Sequence, residues 1–223
     1  MTPHKQGFTP RALRTAAGLL CALAVGVGLG GCSVLRPSAP VQAHFYALQS
    51  QPTPLAPPPA LAAGRKLPTL IVNPPYAAPG FDSARIIFVR ADHQLEYFAH
   101  SEWVEPPARM LGPLLVAALE STNAFGAVVL MPASAAGELR LNTELVRLQQ
   151  NFQTQPSRVQ VAVRVHLMDD RTRKVLQWRE FKAEAIAASE TPQGGVAAAN
   201  AAIQKVLADV ALFLSTRTAV PHD

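Results

Sequence analysis

The fold of this chain is decided by the stretch VQVAVRVHLM at residues 159–168. Its odd positions are all valine or leucine, whereas its even positions include Gln160, Arg164 and His166. Side chains alternate between the two faces of a strand, so the pattern predicts an antiparallel strand with one buried face and one face in water. Residues 169–173, DDRTR, follow as its turn.

The segments on either side continue the same sheet. Upstream, residues 138–149 carry apolar side chains whose parity changes near Leu145, which predicts a bulge there. Downstream, a partner strand carries Leu176 and Trp178 and then Phe181, so a second bulge is expected near Arg179 and Glu180. After Thr191-Pro192, a cap and first-turn pair, apolar residues at helical spacing predict a final helix that packs across the sheet.

The first half of the chain contains shorter elements. Strands are expected at residues 44–48, 67–72 and 127–130, and a hairpin is expected from residues 85–90 and 95–98. A helix should begin at residues 105–107 and end near Asn123, with a kink or a later start caused by Pro113. The order of these elements predicts an α+β fold: a single domain with a mixed, mainly antiparallel sheet and two helices packed on one face.

The N-terminal segment has the pattern of a secretory leader. Lys5, Arg11 and Arg14 precede an apolar run at residues 15–29, and residues 1–31 contain no acidic residue. About 15 apolar residues are fewer than the roughly 20 that cross a bilayer, so a cleaved signal peptide is favoured over a membrane span. The end of the run, Leu-Gly-Gly-Cys at residues 29–32, resembles the bacterial lipoprotein signal, although Cys32 as an ordinary free cysteine remains an alternative.

Cleavage before Cys32 would organise the chain into a signal peptide (1–31), a lipidated tether (32–43), a domain (44–216) and a C-terminal tail (217–223). The acyl chains on Cys32 would anchor the protein to a membrane. By resemblance to the lipoprotein sorting pattern, Ser33 rather than Asp at the next position implies the periplasmic face of the outer membrane. Three of the 20 basic residues leave with the leader, so 17 basic residues face 15 acidic ones and nucleic acid is a poor candidate partner.

No motif for catalysis or cofactor binding is present: the nucleophile elbow, the zinc-protease motif, paired Cys-x-x-Cys and glycine-rich phosphate loops are all missing. The nearest approach to a metal cluster is His93 and His100 with Asp92, Glu96 and Glu102, but their spacing is that of no recognised zinc site. We interpret them as solvated hairpin residues. The sequence therefore predicts a protein that is not an enzyme and needs no cofactor, although a hydrolase whose triad assembles only in space remains open.

The order of several short motifs resembles the ABC-type transport auxiliary lipoproteins, the PqiC-like group. After the lipobox come Tyr-x-Leu at residues 46–48, Val-x-x-Pro at 72–75, IFVR at 87–90, LEYF at 95–98 and the tryptophan segment at 100–107. Glu102 and Val104 depart from the Arg and Ala that often flank the family's tryptophan. The resemblance implies a periplasmic lipoprotein that works with an MCE-domain protein and an ABC permease and ATPase to move lipid or other hydrophobic compounds between the membranes. A structural envelope lipoprotein without a transport role is the alternative.

The segment before the first helix is rich in aromatic residues. Tyr97, Phe98 and Trp103 lie close to two prolines, and exposed aromatic side chains often anchor interfaces. We expect at least one of them to be exposed in the monomer and buried on assembly, either with a partner protein or in a homo-oligomer. The alternative is that all three fill the core under the helix.

Overall fold

The computed structural model describes residues 42–49 and 66–217. Two helices in this part of the chain are α1 (Pro107–Ser121) and α2 (Pro192–Arg217). The strands are β1 (His44–Tyr46), β2 (Leu70–Val72), β3 (Tyr76–Ala77), β4 (Arg85–Val89), β5 (Glu96–Trp103), β6 (Val128–Leu130), β7 (Leu139–Asn151), β8 (Arg158–Asp169) and β9 (Val175–Ile186).

The alternating stretch forms β8, the centre of a long antiparallel meander with β7 and β9. Val161 and Val163 are 2% exposed and Val165 is fully buried, so the predicted buried parity is confirmed. The opposite parity carries Gln160, Arg164 and His166, all half-buried on the other face. Hydrophobic side chains on one face and polar side chains on the other allow this sheet to bury one side only.

One of the two predicted bulges is confirmed and the other is wrong. The register of β7 shifts between Leu145 and Arg147, as expected. In β9, Arg179 and Glu180 pair with β8 without interruption, and the shift lies nearer the turn, at Leu176. Because the extra residue comes before Trp178 and not after it, Trp178 lies on the uncovered face of the sheet and is 62% exposed.

The second edge of β7 is paired by three short strands in succession. β2, β3 and β4 each run parallel to β7 along consecutive parts of its length. β6 continues the sheet beyond β2, while β5 and then β1 continue it beyond β4. The nine-stranded sheet is therefore mixed: its long ladders are antiparallel, and its parallel pairings cover two or three residues each.

Both helices cover one face of the sheet. α1 begins after Pro106 and continues through Pro113, so the regular helix starts at Pro107 and not at residue 111. α2 packs against β8 and β9 through a stripe of buried side chains that includes Ile203, Val210 and Leu214. Of the described helices, α2 is long and apolar enough to span a membrane, and its burial against the sheet is typical of a core helix. The predicted α+β class with two helices on one face is confirmed.

Candidate functional site

The structure separates the three predicted interface aromatics. All three lie on β5, which extends to Trp103, so the tryptophan belongs to a strand and not to a helix entry. Tyr97 is 52% exposed, whereas Trp103 is 3% exposed and packs in the core. Phe98 is half-buried, with its ring centroid 4.7 Å from that of Phe88. Trp103 is therefore corrected from a candidate anchor to a core residue, because its side chain is buried beside Gly195 and Ala199 of α2.

A fourth aromatic residue joins Tyr97 at this end of the sheet. Phe45 on β1 and Arg85 on β4 are both register partners of Glu102 on β5. Phe45, Glu102 and Arg85 therefore form one row across three neighbouring strands. The guanidinium carbon of Arg85 lies 4.0 Å from the centroid of the Tyr97 ring, within cation–π range. We call Phe45, Arg85 and Tyr97 the aromatic patch. Phe45 is 63% exposed, which makes it a more accessible side chain than Tyr97.

Sequence reasoning missed Phe45 because its place depends on a long-range pairing. The strand at residues 44–48 was expected, but nothing local indicates that β1 pairs with β5 or that Phe45 lies opposite Glu102. The β-prone run around it was the only signal in the sequence. The pairing places an exposed aromatic residue on a three-residue strand at the edge of the sheet.

The face of the sheet opposite the helices carries a ladder of charges. Arg164 on β8 donates to Glu144 on β7 at 2.9 Å and to Glu180 on β9 at 2.7 Å. Lys182 approaches the second oxygen of Glu180 at 3.0 Å. Hydrogen bonds from Lys182 and Arg164 hold the pKa of Glu180 below its ordinary value, and the bond to Glu180 raises the pKa of Arg164. These groups satisfy one another and stabilise the register of the three strands.

A second ion pair joins the start of β7 to the residue that follows β8, at the open end of the β7–β8 hairpin. Arg140 makes a bidentate contact with Asp170, with Nε–Oδ1 and Nη2–Oδ2 distances of 2.5 and 2.9 Å. The hydrogen bond from Arg140 lowers the pKa of the Asp170 carboxyl. In the adjacent turn, the backbone and hydroxyl of Thr172 donate to Asp169 and lower its pKa. We call this arrangement the turn clamp: Asp170 is held by Arg140 of β7, and Asp169 is held by Thr172 within the β8–β9 turn.

The two candidate ligand histidines, His93 and His100, do not assemble into a metal site, and neither does His166. His93 and His100 are exposed, and His166 stacks on Trp178 with ring centroids 6.1 Å apart. Within residues 42–49 and 66–217, no three His, Cys, Asp or Glu side chains converge to hold a metal ion.

The interior between the sheet and α2 is tightly filled. A pocket lined by Trp103, Gln150, Gly195 and neighbouring aliphatic side chains has a volume of about 10 Å³, which is room for about one water molecule. Gln150 is 2% exposed, and its Nε2 donates to Ser157 Oγ at 2.8 Å while its Oε1 has no partner among the described residues. This pocket is too small for an acyl chain.

The predicted lipid attachment and sorting residues, Cys32 and Ser33, lie outside the described residues, as do the signal peptide and most of the tether. At the other end of the domain, α2 continues to Arg217, one residue past the predicted boundary.

Comparison with known proteins supports both fold and family. The fold resembles that of protein XCC0632 from Xanthomonas campestris, of the DUF330 family, with 22% identity and a TM-score of 0.66 over 78% of this chain and 95% of the other. A second, uncharacterized protein matches with 15% identity and a TM-score of 0.61 over 78% of this chain and 99% of the other. A comparison with curated protein sequences finds no match.

The sequence itself matches a family that is described as the ABC-type transport auxiliary lipoprotein component, and the match extends over residues 46–211. The matched range begins at the last residue of β1 and ends within α2, so it includes β2 to β9, all of α1 and most of α2. The chain belongs to the ABC-type transport auxiliary lipoprotein component family.

Proposed function

We propose that this protein is a lipoprotein anchored by Cys32 in the outer membrane, and that it is the auxiliary component of an MCE- and ABC-type system that moves lipid or other hydrophobic compounds across the periplasm. The observation that carries the proposal is the family match over residues 46–211. The family is one of transport components and not of enzymes. The lipobox supports the membrane anchor, and Ser33 supports the outer-membrane location.

The domain would act by contact rather than by enclosing cargo. Among the described residues, the pocket between the sheet and α2 has a volume of about 10 Å³ and has no room for a lipid tail. The aromatic patch instead offers exposed side chains of the kind that anchor protein interfaces, and we assign it to the MCE partner or to a second copy of this chain.

The position of the patch suits a partner near the membrane. Phe45 lies 13 residues after Cys32, which at about 3.5 Å per residue limits its distance from the anchor to roughly 45 Å. A docking surface within this distance would face a transport complex that approaches the outer membrane.

The test is co-purification from solubilised envelope membranes, followed by mass spectrometry of proteins and bound lipids. We expect the tagged wild-type protein to retain an MCE-domain protein and ABC subunits. Phe45→Ala and Tyr97→Ala should lower this recovery while circular dichroism stays unchanged. Tyr76→Ala is the matched control, because Tyr76 is 53% exposed but lies on β3, outside the patch.

Three results would count against the proposal or against the patch. Recovery of cell-wall proteins without any transport subunit would favour a structural envelope lipoprotein. Equal recovery with all three alanine variants would separate the patch from the docking surface, and a loss of thermal stability with assembly unchanged would assign Tyr97 to packing.

A further inference from the structure

The strongest unassigned feature is a groove of about 500 Å³ on the uncovered face of the sheet. The β4–β5 turn forms one wall, and the ends of β7 and β8 form the floor. Its lining is unusual in composition because it brings together five side-chain amides. These are Gln94, Gln149, Asn151, Gln153 and Gln160.

Two carboxylates and one backbone amide determine which way the amides of this groove point. A carboxylate only accepts hydrogen bonds, so Gln160 must direct its Nε2 to Glu184, at 2.8 Å. Its Oε1 then accepts from Gln149 Nε2 at 3.2 Å, which leaves Gln149 Oε1 without a partner among the described residues. The same reasoning applies to Gln153, whose Nε2 donates to Asp92 at 2.8 Å and leaves its Oε1 unused.

Asn151 supplies the complementary group. Its Oδ1 accepts the backbone N–H of Gln153 at 2.8 Å, so its Nδ2 remains available as a donor. The groove therefore presents two oriented acceptors, Gln149 Oε1 and Gln153 Oε1, and one oriented donor, Asn151 Nδ2. Each is held by a bond at its other end, so little side-chain freedom remains to be lost on binding.

We propose that this groove binds a neutral glycan that carries acetamido groups. An acetamido group has one N–H donor and one carbonyl acceptor, which complement the Gln oxygens and the Asn nitrogen, and sugar hydroxyls both donate and accept. Leu95, 48% exposed, and the half-buried Phe81 add apolar surface for the C–H face of a sugar ring.

The charges and backbone of the groove disfavour other ligands. Among the described residues, Arg147 is the one Lys or Arg that lines the groove, and it has no ion-pair partner there. Asp92 lies on the opposite wall. An anionic lipid headgroup is bound by a cluster of cations, which this groove lacks. An extended peptide adds to a free strand edge. At Gln150 and Asn151, β7 is paired on both sides, by β8 and by β4, so this part of the groove floor offers no such edge.

The test is saturation-transfer NMR with the full mature lipoprotein in a zwitterionic detergent and chitotetraose as the probe. We expect transfer to the acetamido methyl groups, and weaker transfer to maltotetraose, which has hydroxyls but no acetamido group. Gln149→Met keeps the length of the side chain and removes both polar atoms, so it should weaken binding at least tenfold. Gln204→Met, the same change on α2 at the other face, should bind as the wild type does.

A second variant protects the test against a folding defect. Gln153 is exposed and lies in the loop after β7, so Gln153→Leu should fold normally and also weaken binding. Absence of transfer with the wild type, unchanged binding by a folded Gln149→Met, equal transfer to maltotetraose, or displacement of the glycan by phosphatidylglycerol vesicles would overturn the proposal. Co-purification of transport subunits is a separate measurement, so failure here leaves the proposed function standing.

Discussion

At the scale of single residues, the closest packing is where α2 begins. A Cβ atom on Gly195 would lie 2.2 Å from Oε1 of the buried Gln150, so the amide end of Gln150 would have to move to admit a side chain there. Gly112 in α1 differs, because the nearest atoms to a Cβ there are side-chain carbons of Leu130 and Pro75 at 3.4 Å. The same change to alanine at these two helical glycines therefore compares a crowded position with an open one.

We predict that Gly195→Ala lowers the free energy of unfolding by about 1 to 3 kcal/mol, the usual range for overpacking a core. Gly112→Ala should be neutral or slightly stabilising, since alanine favours a helix interior by up to about 1 kcal/mol over glycine. Thermal melts followed by circular dichroism would measure both. A melting temperature that is equal for Gly195→Ala and the wild type would mean that α2 does not approach Gln150 this closely.

At the scale of elements, β8 is the strand on which the sheet depends, and its parity can be tested with one pair of substitutions. Val163→Asp would place a carboxylate at a position that is 2% exposed, and an unpaired buried charge costs several kcal/mol. Val175→Asp makes the same chemical change on β9 at a position that is 52% exposed. We expect the first variant to lose soluble expression and the second to retain it; normal folding of both would reject the parity.

Four hydrogen-bonded carboxyl groups predict the response of the fold to acid. Hydrogen bonds lower the pKa of Asp169, Asp170, Glu180 and Glu190 in the folded protein, Glu190 through Ser157. A carboxyl with a lowered folded pKa stabilises the fold above its unfolded pKa, about 3.9 for Asp and 4.3 for Glu, and that stability is lost as pH falls through the folded value.

The melting temperature should therefore be level above about pH 5 and fall on acidification below about pH 4. Asp170→Asn removes one of these carboxyls and should make the acid side of the curve less steep. Arg173, which pairs with Asp170 at 3.1 Å, is two-thirds exposed, so Arg173→Gln should change the curve much less. An acid response identical in Asp170→Asn and the wild type would show that the turn clamp is not coupled to folding.

At the scale of the whole molecule, the proposed anchor at Cys32 would determine where the domain works. Lipidation needs the thiol of Cys32, so Cys32→Ala should abolish palmitate labelling and leave an unprocessed precursor or a soluble periplasmic form. Ser33→Asp should keep the label and move the protein to the inner-membrane fraction. Ser33→Thr is the control for the sorting position, and label incorporation by Cys32→Ala would reject the lipobox.

Local patterns in the sequence determined the class of the fold, because alternation and helical spacing depend only on which side of an element must be buried. The buried face of β8, the bulge near Leu145 and the stripe of α2 could all be predicted in this way. The leader over residues 1–31 stays a prediction. The same patterns gave Tyr97, Phe98 and Trp103 as a group but not their separate environments.

Only the tertiary structure decided which segments lie side by side. Phe45 joins Tyr97 because β1 pairs with β5 across more than 50 residues of chain, and the groove amides come from two hairpins and the loop between β7 and β8. Trp178 is exposed because the register of β9 shifts at Leu176. Strand neighbours and registers are selected by the packing of the complete core, whose free energy is shared among all elements, so no local stretch of sequence contains that information.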